Sequence, residues 1–274
     1  MRILHALNAA TDVVISHFHG DHLPLADANP YQLSMRDLPH RRRRPRCWSK
    51  SDDDLSEAMR KRRADLLTYF VNGIHAAEGC SHGPLSFSQA VPHGVPRSAL
   101  GTVMMTRIES GGHVFVHASD IQLLNDAAVA AIIDWRPTTV LAAGPPLYLD
   151  RLGATERRCA WQNALRLVES VNAIVLDHHL MRDARAPAWL DDLSRAAGKR
   201  VYCAADFMGK PRRLLEAQRE QLYADMPVPS KWHERYARGA ASIETYFDGL
   251  RDKQHNRIGT VKEMVPRRLQ PKPR

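Results

Sequence analysis

Val13-Val14-Ile15-Ser16-His17-Phe18-His19-Gly20-Asp21-His22 is the stretch on which the reading of this chain turns. Its first half is apolar and β-branched, the composition of a buried strand, and it stops where polar residues begin. Its second half reads HxHxDH. Imidazole nitrogens and carboxylate oxygens are the donors that zinc and related divalent ions take, and a tight turn after a strand lets such side chains spread toward two neighbouring ions. Gly20 is expected to give that turn its conformational freedom. A solvated histidine-rich loop, or a tag, would not also place the aspartate and the glycine.

Further candidate ligands fall at other strand-to-loop junctions. His93 lies in Pro92-His93-Gly94 after the strand-like run 85–91, Asp120 follows the strand-like run 113–118, and His178 follows 173–176. Asp120 has a competing role as N-cap of a helix expected over 121–133, with Ser119 a rival for it. Successive side chains of a strand alternate faces, so His178 and His179 are expected to point in opposite directions and one of them to be a ligand. The other is then a supporting, substrate-facing or structural residue. Asp177 is either an acceptor that orients a ligand imidazole or an ordinary turn carboxylate. Arg182 either contacts an anionic group near the site or pairs on the surface. His75 and His82 read as structural, His113 borders a turn, and His117 reads as a core or supporting residue.

The remaining pattern is that of a layered α/β protein. Ser51 to Asp54 supply an N-cap and an acidic first turn for a helix that Gly73 ends, and Ser110-Gly111-Gly112 joins 102–108 to 113–118 as a hairpin. Beyond it, strands over 139–143, 173–176 and 200–204 alternate with helices over 155–170 and 188–197, and helices follow Pro211 and Pro229. One domain is expected over 1–264, followed by a loose basic tail over 265–274.

Composition bounds the function classes. The 274 residues, 44% hydrophobic and 25% charged with mean hydropathy −0.40, describe a soluble globular chain. No run approaches the roughly 18 apolar residues of a membrane span, so no membrane partner is expected. Lys and Arg number 39 against 30 Asp and Glu, a formal charge of +9, which favours an anionic partner, either a small molecule or a nucleic acid. The arginines at 41–44 and 60–63 carry much of that charge, but no aromatics interleave them as a base-stacking platform would require, so a solvated basic surface is the plainer reading. Cys47, Cys80, Cys159 and Cys203 have no CxxC spacing, which argues for reduced thiols and a cytoplasmic protein. Residues 1–10 imitate a signal peptide poorly, because His5 and Asn8 interrupt the apolar run.

In order and context, HxHxDH followed by His93, Asp120 and His178 resembles the metallo-β-lactamase superfamily. Ser16 to His22, Phe87-Ser88 with Val91 to Gly94, Leu100-Gly101, Val116 to Gln122, Gly144-Pro145-Pro146 with Tyr148-Leu149, and Asp177 to Asp183 more closely resemble an uncharacterised prokaryotic family of predicted metal-dependent hydrolases within it. The resemblance extends over most of the chain from Thr11 onward. It implies an αββα sandwich, with His17, His19 and His93 on one divalent ion, Asp21, His22 and His178 on a second, and Asp120 bridging. Asp21 and Asp120 are then the catalytic carboxylates. Zinc is the first choice of metal, with iron or manganese admissible, and His178 is favoured over His179 as the ligand. The reaction implied is hydrolysis of an ester-type bond by an activated hydroxide. The charge balance, Arg182 and the arginine-rich loop favour a phosphodiester. Superfamily members place HxHxDH some tens of residues into the domain, so the sandwich is expected to lack N-terminal strands and to expose an edge at 13–16. A metal-binding but catalytically weak protein, nucleic-acid-binding or a truncated remnant, is the alternative.

Overall fold

A computed structural model describes residues 2–29, 31–40, 45–95 and 100–244. Helix α1 (Arg2–Ala9) leads into β1 (Asp12–Ile15), which pairs in parallel with β2 (Arg46–Ser49); after α2 (Glu57–Leu67), β3 (Ile74–Ala76) joins β2, also in parallel. Alternation along these strands sorts their two faces. Val13, Ile15, Cys47 and Ile74 pack with Leu66 and Phe70 beneath α2, joined by Leu4 and Leu7 of α1. Val14 and Trp48 face the other way, onto Leu85, Phe87 and Met104.

Those partners belong to a second sheet. It contains β4 (Ser81–His82) and β5 (Leu85–Phe87), with β6 (Val91–Pro92) and β7 (Thr102–Val103) set apart as a two-stranded ribbon. The chain continues through the hairpin β8 (Thr106–Ser110) and β9 (His113–His117), then α3 (Asp126–Asp134), β10 (Thr139–Ala142), α4 (Ala154–Ser170), β11 (Ala173–Leu176) and α5 (Ala186–Ala197). The six strands lie in the order β11-β10-β9-β8-β5-β4, with β9, β10 and β11 parallel. Val116, Val140, Ile174 and Leu176 on its outer face pack under Ile132, Leu167 and Leu190 of the helices. The layers therefore run helix, three-stranded sheet, six-stranded sheet, helix, the αββα order expected. Short helices α6 (Ala204–Phe207), α7 (Arg219–Asp225) and α8 (Trp232–Ala237) follow.

Several local expectations give way to side-chain chemistry. α2 is capped by Ser56, whose hydroxyl accepts from the Met59 N–H, because Asp54 is taken up by Lys50 and Thr102. The helix expected over 121–133 begins only at Asp126, capped by Asn125; Ser119 and Leu123 hold φ of 53° and 60°, so no helix runs through them and Asp120 caps nothing. The run 85–91 divides between two sheets after Ser88 turns its hydroxyl to the Met105 N–H. The strand expected over 200–204 reduces to one bridge between Tyr202 and Val175, since Cys203 already starts α6. Gly111 and Gly112 hold the hairpin turn at φ of 56° and 79°. Arg41 to Arg44 and the tail 265–274 lie outside the described residues. No described helix is long and apolar enough to cross a membrane, and the four cysteines are free thiols.

Candidate metal centre

Parallel strands deliver their C-terminal ends to one rim, and the polar residues that follow them meet there. The HxHxDH loop leaves β1 with Phe18 fully buried in the core under α2, an anchor between His17 and His19. Arg62 of α2 donates to the Phe18 carbonyl at 3.1 Å, and the Met104 N–H donates to the Ser16 carbonyl at 2.9 Å. Gly20 serves a different purpose from the one expected: it is absent from the residues with positive φ, and a Cβ there would press on the Arg62 guanidinium at 3.3 Å. Space rather than backbone freedom selects glycine. Part of the basic cluster 60–63 is likewise structural, with Arg62 on the loop and Arg63 reaching the Ile74 carbonyl.

The donor atoms fall into three neighbouring sets, two of which contain Asp120. His17, His19, His93 and Asp120 form one set, Asp21, His22 and His178 another, and Asp120, His178 and His179 a third; within each, the donor atoms lie within 4.8 Å of one another. Asp120 Oδ2 lies 3.1 Å from the Nε2 atoms of both His93 and His22, and 3.4 Å from those of His17 and His179. Its Oδ1 is 3.7 Å from His178 Nε2. Asp21 Oδ2 lies 3.6 Å from His22 and 3.9 Å from His178, and Arg182 approaches it to 3.8 Å.

His178 and His179 both face the centre. β11 ends at Leu176, His178 takes a left-handed φ of 59° and His179 is right-handed, so the alternation expected of a continuing strand does not apply. Asp177 creates this turn. Its carboxylate accepts the N–H groups of His178 and Ala204, each at 2.6 Å, which is the turn role rather than that of a partner to an imidazole.

The electrostatics favour neutral rings around a fixed carboxylate. Burial lowers the pKa of His17, and lowers those of His19 and His178 to about 4, assisted for His19 by the neighbouring His17 and His93. Burial alone would raise the Asp120 carboxyl, but the facing rings of His17, His179, His22 and His93 outweigh it and hold the group ionised. His22 is raised by its hydrogen bond to Asp120. Neutral imidazoles pointing inward leave lone pairs without protons to meet, and indeed the buried Nε2 atoms of His17 and His178 make no hydrogen bond. Such orphaned nitrogens facing carboxylates are the donor set a divalent cation satisfies, so the residues fit the metal.

Sequence reasoning missed the supports. Ser16 Oγ lies 3.0 Å from His17 Nδ1 and 2.7 Å from Ser119 Oγ, a hydroxyl pair that ties the two sheets beneath the centre. Lys50 is buried at the end of β2 and paired with Asp54, bracing the adjoining loop. Gln122 contacts both His93 and His179. Ser16, Ser119 and Gln122 had a sequence signal, since they lie in the runs 16–22 and 116–122, and Lys50 had none.

A UPF0282 protein of Methanosarcina mazei is 45% identical over 246 residues, covering 90% of this chain and 81% of its own length. The chain belongs to the UPF0282 family. UPF0282 proteins of Thermococcus gammatolerans and Pyrococcus furiosus are 33% and 31% identical over 230 and 223 residues, in each case 77% of this chain, and 72% and 70% of their own. No family model matches the chain. Among solved structures, a CmlA beta-hydroxylase mutant aligns with a TM-score of 0.44 and 16% identity, over 70% of this chain and 42% of its own.

Proposed function

We propose that this protein is a metal-dependent hydrolase of ester-type bonds, with His17, His19 and His93 holding one divalent ion, Asp21, His22 and His178 a second, and Asp120 between them. The observation that carries the reading is the sharing of Asp120 by donor sets that arrive from both sheets. A pair of ions, zinc foremost, would supply a hydroxide at neutral pH and neutralise charge developing on the attacked group. The chain's own residues do the rest. Asp120 stays ionised and keeps the surrounding rings aimed inward, while Asp21, half exposed, faces the open side. His179 shares a donor set with Asp120 and His178, and we assign its Nε2 to the centre as a further ligand beside His178.

Arg182 is the substrate-facing cation: it is about a third exposed and stands beside Asp21. A guanidinium there recognises phosphate or carboxylate oxygens, which favours a phosphodiester over a neutral lactone. Engagement of Arg62 and Arg63 within the fold weakens the reading of that cluster as a nucleic-acid platform, so the favoured partner is an anionic small molecule.

A panel of phosphodiesters, RNA, lactones and thioesters offered to zinc- and manganese-loaded protein tests the reading. The expected result is metal-dependent phosphodiester cleavage that Asp120→Ala abolishes while the circular dichroism of the fold is retained. Rising salt should weaken binding of a long polyanion far more than that of a small ester, because the former releases several counterions. Turnover of a lactone with no phosphodiester cleavage overturns the substrate class, and no turnover anywhere in the panel overturns the hydrolase.

A further inference from the structure

Gln122 is buried, and the centre's donor sets do not include it. Its backbone N–H donates to the His93 carbonyl at 3.2 Å. Its carboxamide nitrogen lies 3.3 Å from His93 Nδ1 and 3.2 Å from His179 Nδ1. The opposite ends of these two rings, their Nε2 atoms, lie 3.1 and 3.4 Å from the same oxygen of Asp120. One amide thus backs two rings that front one carboxylate. Room for it is made by Gly94, where a Cβ would come within 2.4 Å of Gln122 Oε1.

We propose that Gln122 is the positioning residue that fixes the tautomer and aim of His93 and His179, so that both present Nε2 to the metal. The inference rests on the metal reading above. A neutral imidazole carries one proton; a ring that ligates through Nε2 must carry it on Nδ1, and that N–H needs an acceptor. The amide oxygen has two lone pairs and serves both rings at once. Without metal, the amide nitrogen can donate to both Nδ1 atoms while each Nε2–H points to Asp120. A half-turn of the carboxamide exchanges its oxygen and nitrogen in place, so the same side chain matches both states. A glutamate at this position would match only the metal-loaded state, and a leucine neither.

The test is zinc affinity, measured by competition with a chromophoric chelator on the full chain, for wild type, Gln122→Glu and Gln122→Leu. Gln122→Leu is expected to bind about 10- to 100-fold more weakly, and Gln122→Glu within about threefold of wild type. In zinc-loaded wild type, long-range ¹H–¹⁵N spectra should place the proton of both His93 and His179 on Nδ1, a readout that stands even if Gln122→Leu fails to fold. Equal losses in the two variants, wild-type affinity in Gln122→Leu, or a proton on Nε2 of either ring would overturn the proposal. Wild-type protein that takes up no zinc would overturn the metal reading and this inference with it, whereas zinc uptake that is indifferent to Gln122→Leu overturns the inference alone.

Discussion

The two sheets bring ligands to the same rim but hold them by different means. On the six-stranded side, Asp120, His178 and His179 follow β9 and β11, whose outward residues Val116, Ile174 and Leu176 are wholly enclosed by α3, α4 and α5. On the three-stranded side, His17 to His22 follow β1, a four-residue end strand. A cleft of about 510 Å³ opens beside it, lined by Val13, Leu23, Leu33 and Leu66 and, across the gap, by Leu141, and it reaches His17, Asp120 and His178. Close packing fixes one group of ligands. The other depends on one buried anchor, Phe18, and on polar ties from Arg62 to Phe18, from Met104 to Ser16 and from Ser16 to Ser119. A metal in this centre would therefore also act as a cross-link, holding the weaker half to the stronger.

Core truncation should separate the halves most widely. Ile174→Ala, in a fully packed layer, is expected to cost about 4 kcal/mol, and Ile15→Ala, where the neighbouring cleft allows collapse, about 2 kcal/mol. Chemical denaturation measures both, and equal costs would break the comparison. Chelation comes next. Removing metal should speed hydrogen exchange of the amides in β1 and β2 by about tenfold or more while leaving β10 and β11 nearly unchanged; uniform loss of protection would mean that the halves open together.

A smaller effect is expected from the hydroxyl link. Ser16→Ala should lower stability by about 1 kcal/mol and weaken zinc binding, by removing the partner of His17 Nδ1. Gly20→Ala should be milder, below about 1 kcal/mol, since no positive φ is involved and only the end of Arg62 must shift. Its zinc affinity should fall only a few-fold, and a collapse of the fold would show that the loop has no such slack.

Acid provides another handle on the metal-free protein. His19 and His178 titrate near 4 when folded against an ordinary 6.5, so between those values the unfolded chain binds protons that the native state does not. Their effect is full stability above pH 6.5, lost progressively toward pH 4. His22, raised by Asp120, works the other way: its stabilisation is present below 6.5 and fades as pH rises through its folded pKa. The depressed rings outnumber it, so melting temperature should fall on acidification from pH 6.5 to 4.5; a rise would reverse the assigned balance.

The sequence exposed those features whose cause is local. An apolar run stopping at HxHxDH, and single ligand residues after other strands, were legible because a strand end and its first loop residue are neighbours in the chain. Convergence of His178 with His179 was not, because period-two reasoning assumes extended backbone, and the positive φ at His178 breaks it. Gly20 was singled out for backbone freedom, yet its reason lies on α2, with Arg62 reaching a carbonyl 44 positions away. Ser16 meets Ser119 across 103 positions, a pairing that arises only when the two sheets pack. The helix expected from Ile121 failed for a related reason: residues 119–123 are spent on positioning Asp120 and Gln122, and the helix starts only when that is done.

The central claim is that side chains from both sheets form one metal centre. Elemental analysis of protein loaded with zinc and freed of excess metal tests it most directly, run beside His17→Ala from the three-stranded half and His178→Ala from the six-stranded half. The account predicts about two equivalents per chain in wild type and a marked loss in either variant, since each half supplies part of a shared two-ion site. Less than about half an equivalent in wild type, not recovered on adding metal, would contradict it.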